Sequence, residues 1–172
     1  MNAAQRLKLP EIKFPEDIFT FYLSHPHASR HYVREWELGF EGRHPNIALL
    51  NPFYDVEGEC KEDIRAEDEG REVVREKGAN WRLVMRDEIA IAYSRGILGI
   101  VDYNSDKSIG TIMEFVYGRM LANNPKLLIC TNDRLYNHPW LRTHFHEIYK
   151  SFEEFESNVE DRIAHVRKKW GF

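Results

Sequence analysis

Cysteine is scarce in this chain, two among 172 residues, and the two, Cys60 and Cys130, stand far apart. They offer neither a disulfide framework nor a paired metal-ligand motif, so the expected compartment is the reducing cytoplasm. Long apolar runs are also missing. None approaches membrane-spanning length, and the opening MNAAQRLKLPEIKFPED lacks the apolar stretch of a secretion signal. Nor is positive charge in excess: a formal net charge of −4 gives no electrostatic reason to expect a nucleic-acid polymer as partner. A small anion is a different matter, because one local nest of backbone N–H groups suffices to hold it. The sequence shows no internal repeat and no low-complexity tract. What is present, 42% hydrophobic and 30% charged residues, describes one soluble globular domain with a sizeable core.

Pro10 and Pro15 break residues 1–16 into an arm, which leaves 17–172 as the domain. The aromatic and β-branched run Ile18-Phe19-Thr20-Phe21-Tyr22-Leu23 reads as a first strand, ended by Pro26. Ser29 can cap a helix over roughly 31–40 that carries Val33, Trp36 and Phe40 on one face. Further strands are expected at 46–50, 97–102, 126–130 and about 147–151, and helices at about 80–93, 110–122 and 152–169. The mixed charges of 53–79 suggest a loop, of the kind that forms lids, and 131–140 reads as another. Strands alternating with helices predict a single-domain three-layer α/β/α fold. Its sheet should be five-stranded, mostly parallel and flavodoxin-like, in the order 2-1-3-4-5. Ligands of such sheets bind beyond the carboxyl ends of the strands, near the switch in strand order. The segments leaving those ends here are 24–27, 51–55, 102–111 and 131–137.

The richest stretch is Ser108 to Gly118, SIGTIMEFVYG, soon after the apolar run Ile97-Leu98-Gly99-Ile100-Val101. A buried strand delivers the backbone to a turn, and the turn opens a helix with Glu114 in its first turns. Unpaired N–H groups at a helix start hold an anion or steady an ionised carboxylate. Thr111-x-x-Glu114 equally fits the S/T-x-x-E capping box, in which both side chains merely satisfy backbone donors. His25-x-His27 and His144-x-His146 lack a third ligand at a usual spacing, so they read as isolated polar histidines and no metal is expected. Tyr22, Phe53 and Tyr54 suit either stacking on a base or packing at the rim. The basic run Arg167-Lys168-Lys169 is most simply the favourable end of the last helix.

From Phe19 to the final helix, the chain resembles the nucleoside 2-deoxyribosyltransferase family, closest to its 2′-deoxynucleoside 5′-phosphate N-hydrolase branch. The resemblance rests on Arg86-Asp87 on a helix, the apolar strand ending at Asp102, and Ser108-x-Gly110-x-x-x-Glu114-x-x-x-Gly118. It implies cleavage of an N-glycosidic bond in a (deoxy)nucleoside 5′-monophosphate, without a cofactor. Glu114 would attack the anomeric carbon and Asp87 would protonate or orient the departing base, the division of labour found in retaining glycosidases. Ser108 stands where the transferases typically carry Asp; a hydroxyl beside helix N–H groups welcomes a phosphate that a carboxylate would repel. Gly110, Ser24, Arg30, Asp102 and Asn137 complete the implied substrate-binding set. Asn137 would come from a neighbouring subunit, since family members are homodimers or larger, and in some transferases a terminal carboxylate, here that of Phe172, also reaches the neighbour's site. The first-strand exit, Ser24-His25-Pro26-His27-Ala28-Ser29-Arg30, departs from the glycine-rich turn common in the family.

Plainer roles are open for the same residues: Asp87 pairing with Arg82 or Arg86 on a helix surface, and Ser108 as a turn residue. Alternative functions are base exchange by a nucleoside 2-deoxyribosyltransferase and a non-catalytic nucleotide sensor. Two other resemblances are weaker. Cytokinin-activating phosphoribohydrolases share the Gly-Thr-x-x-Glu pattern but expect a glycine pair where this chain has Lys107-Ser108, and TIR-like NAD hydrolases share only the architecture and a catalytic Glu.

Overall fold

A strand whose six residues are all buried must sit mid-sheet with both faces covered, and Phe19–Ser24 forms such a strand, β1. The computed structural model describes residues 17–53, 79–105, 108–121 and 125–170. The arm 1–16, nearly all of the expected loop 53–79 with Tyr54 and Cys60, Asp106, Lys107 and Phe172 lie outside the described residues, as do the side chains of Arg82 and Arg86. After β1 come a 3-10 turn (His27–Ser29), α1 (Arg30–Arg43), β2 (Ile47–Leu50), α2 (Ala79–Tyr93), β3 (Gly96–Val101) and α3 (Ile109–Leu121). The chain continues through β4 (Lys126–Cys130), α4 (Asp133–Tyr136), α5 (Pro139–His144), β5 (Glu147–Tyr149) and α6 (Phe152–Trp170).

The five strands lie in the order β2-β1-β3-β4-β5, as the alternation of elements predicts. All four pairings are parallel, in registers that include Phe19↔Ile47, Tyr22↔Ile97, Leu98↔Leu127 and Leu128↔Ile148. The expected loop 131–140 is instead partly helical. Asn132 caps α4 by accepting the Arg134 N–H, and Pro139 opens α5 at the position where its missing N–H costs nothing. The last strand stops at Tyr149 because Ser151 already accepts the Glu154 N–H and starts α6. Among the described residues no helix is long and apolar enough to cross a membrane.

Side chains alternate across a strand, so the sheet carries two separate cores. On one face Phe19, Phe21 and Leu23 join Leu98, Ile100, Leu127 and Ile129 under α1 and α6 as one continuous cluster. The other face is divided. Tyr22, Ile91 and Ile97 form one patch, and Val101, Phe115, Leu128, Cys130 and Phe145 form another. Gly99 lies between them on β3, and a Cβ there would stand 2.8 Å from the Phe115 ring. Gly118 serves the reverse contact, since a Cβ at that position would overlap Ile97 Cδ1. These two glycines seat α3 close against the middle of the sheet, and with it Glu114.

Candidate active site

β1 and β3 are neighbours, yet one leads outward to β2 and the other to β4, so the strand order switches between them. Strand exits diverge at such a switch, which makes it the usual ligand position in this architecture. Glu114 stands on the second turn of α3, bonded to the exit of β1. Tyr22 donates its hydroxyl to Glu114 Oε1 at 2.9 Å, and Ser24 donates to Oε2 at 2.6 Å. Residues 22 and 24 point to the same side of β1, so one strand fixes both oxygens of one carboxylate. Both donors are fully buried, whereas Glu114 is only partly covered. The two hydroxyls fix the orientation of the carboxylate.

The capping-box reading of Thr111 and Glu114 does not hold. Helix α3 begins at Ile109, which puts Thr111 in its first turn and Glu114 a turn further on, bound to the sheet rather than to the helix start. Ser108 precedes the helix, with its hydroxyl 2.6 Å from that of Thr111 and its carbonyl accepting the Ile112 N–H. Gly110 is exposed at the same helix start, with open space around its Cα.

Asp87 is buried, 8% exposed; the side chains of Arg82 and Arg86, expected as its plainer partners, lie outside the described residues. It stands one turn before Ile91, the residue of α2 that packs with Tyr22, on the same face of the helix. Arg30 donates to the His27 carbonyl at 3.2 Å and braces the turn after β1. Asn137 lies on the other flank of α3. It ends α4, is exposed, and accepts from Arg142 within its own chain.

Asp102 is held differently from the other expected ligands. Its Oδ2 accepts from the hydroxyls of Ser29 at 2.5 Å and Tyr32, while Oδ1 accepts from the Asn104 N–H at 2.8 Å and Ser105 at 3.3 Å. Burial alone would push this carboxyl up, but the bonds from Ser29, Tyr32, Asn104 and Ser105 outweigh it and hold the group below the ordinary aspartate range. The Tyr32 phenol is pushed up by burial and by the same carboxylate.

A second polar chain was not visible in the sequence motifs. His25 Nε2 lies 3.2 Å from Asn51 Oδ1, and Asn51 donates from Nδ2 to Glu37 Oε2 at 2.7 Å. Arg34 pairs with Glu37 Oε1 at 2.9 Å. Burial drives the Glu37 carboxyl up to about 7, against the lowering pull of Asn51 and Arg34. The signal for Tyr22 was the two-residue spacing to Ser24. For Glu37 the signal was a carboxylate four residues after Val33, on the inward face of α1.

Across α3 from Glu114 the rim is apolar. A groove of about 310 Å³ is lined by residues that include Val101, Ile112, Phe115, Leu135, Trp140 and Phe145. His144 lies at this edge, bonded to Arg119 and to the Trp140 carbonyl, and His146 accepts the Lys126 N–H. Among the described residues no group of His, Cys, Asp and Glu is placed to hold a metal ion. Compared with known proteins, the chain matches no family model and no curated relative.

Proposed function

We propose that this protein cleaves the N-glycosidic bond of a (deoxy)nucleoside 5′-monophosphate, with Glu114 as nucleophile. The observation that carries the reading is a partly open carboxylate, gripped through both oxygens by Tyr22 and Ser24, at the carboxyl edge of a parallel sheet where the strand order switches. Glu114 attacks C1′ as the C1′–N bond breaks. The base leaves carrying a proton for which Asp87, in its low-exposure site, is the donor. Water, giving a proton back to the Asp87 carboxylate, then hydrolyses the glycosyl ester and releases the sugar phosphate and the free Glu114 carboxylate. Ser108 and Gly110 at the start of α3, with Arg30 after the β1 exit, form the polar end for the phosphate, while the buried Ser24 hydroxyl is committed to Glu114. No cofactor enters these steps.

The reading extends to a homodimer with a shared site. Ile109, Ile112, Met113, Met120 and Trp140 are exposed along α3 and α5, and a partner seated there would bring its Asn137 towards Glu114. Such an enzyme would act on the cytoplasmic nucleotide pool.

The test is incubation with a panel of nucleosides and their 5′-monophosphates, followed by chromatography for released base. Release in water without an acceptor base supports the hydrolase; release only with an added base makes the protein a transferase. Tight binding without product over hours makes it a sensor. Glu114→Ala should lower cleavage at least about 1,000-fold while retaining most ligand affinity. Equal activity in that variant removes the assignment.

A further inference from the structure

We infer that Asp102 is a positioning residue: its carboxylate locks the β1–α1 turn to the β3–α3 turn across the strand-order switch and keeps Ser24 in register with Glu114. The resemblance implies a substrate ligand at this position, but the bonding of Asp102 is already complete. A carboxylate offers about four acceptor sites. Here they are taken by Ser29 at the end of the β1–α1 turn, by Tyr32 in the first turn of α1, and by Asn104 and Ser105 after β3, on a residue 5% exposed.

The lock reaches further through the backbone. Asn104 Nδ2 donates to Ser29 at 3.3 Å, a second strut between the two turns. The Asp102 carbonyl accepts from the buried Asn132 at 3.1 Å, which ties in the exit of β4. Ser105 N–H bonds back to the Asp102 carbonyl, and Ser108 N–H to that of Ser105, carrying the constraint to the start of α3. Ser24, which grips Glu114, and the helix that bears Glu114 therefore hang from one anchored residue. Only an acceptor suits this place. An asparagine would turn an amide donor towards one of the two donor pairs.

The catalytic consequence rests on the glycosidase reading, whereas the lock itself does not. The experiment compares wild type, Asp102→Asn and the double variant Ser29→Ala/Tyr32→Phe, which keeps the carboxylate and removes two of its partners. Backbone hydrogen exchange is expected to accelerate together at residues 29–33 and 102–105, by roughly ten-fold or more, with α6 unchanged. Base release is expected to lose roughly ten- to one hundred-fold in kcat, with KM within about three-fold. Unchanged exchange in both turns overturns the inference. So does a raised KM with kcat preserved, the signature of a lost substrate contact. If wild type cleaves no nucleotide, the glycosidase reading fails and exchange alone decides the lock. If Asp102→Asn does not fold, the double variant carries the same measurements.

Discussion

The two ends of the sheet rim are built from opposite chemistry, although one helix serves both. Towards β1 and β2 the rim is polar and buried, with Glu114 on Tyr22 and Ser24, Asp102 on Ser29 and Tyr32, and Glu37 on Asn51. Towards β4 and β5 it is an apolar groove under Trp140 and Phe145. On α3, Glu114 faces the first and Ile112 with Phe115 the second. The polar end has paired hydroxyls and carboxylates, which give direction and charge; the apolar end has area, which gives adhesion without direction. The proposed function places chemistry at the first and contact with another surface at the second.

The largest effect that separates the ends is pH dependence. Glu37 is raised from an ordinary 4.5 to about 7, so the folded state holds its proton more tightly than the unfolded chain does. The contribution of this group to stability is therefore greatest below pH 4.5 and is lost as pH rises through about 7, by on the order of 3 kcal/mol. The groups acting on it are Arg34 and Glu41 from α1 and Asn51 from the exit of β2, which in turn is bonded to His25. Glu37→Gln should remove that part of the slope in denaturation curves taken from pH 5 to 8. An unchanged slope would place the charge in water.

Gly118→Ala tests what the ends share. The added methyl overlaps Ile97 Cδ1, lifts α3 from β3 and should cost about 2 kcal/mol in chemical denaturation, loosening both flanks at once. Tyr22→Phe and Ser24→Ala touch the polar end alone. Each should lower kcat about ten-fold, equivalent to 1.4 kcal/mol, and leave the groove's binding of an apolar dye unaltered. The smallest effect is expected from Trp140→Ala. With Trp140 two-thirds exposed at 67%, monomer stability should change by less than about 0.5 kcal/mol, while the proposed dimer should weaken towards monomer in sedimentation.

Much of the architecture was legible in the chain because strands buried on both faces leave continuous apolar runs, as in Ile97 to Val101. The alternation of those runs with helices leads to the parallel order. Elements whose cues lie in single side chains were harder to read: the cap at Asn132 and the Pro139 start turned an expected loop into two short helices. The spacing around Glu114 marked that residue as a candidate, and the family resemblance marked Asp87; the two hydroxyls that hold Glu114 came only with the fold. Tyr22 was read only as an aromatic, because its hydroxyl acquires meaning from a partner 92 positions away.

By itself, then, the sequence determined the local periods: which runs become strands, which helices follow, and which carboxylate starts near a helix N-terminus. Those properties depend on neighbours within a few residues. Tertiary structure alone decided how each charge is held. It set two hydroxyls on Glu114, surrounded Asp102 with four donors and drove Glu37 out of the ordinary acid range, because solvation and hydrogen-bond partners come from strands and turns distant along the chain.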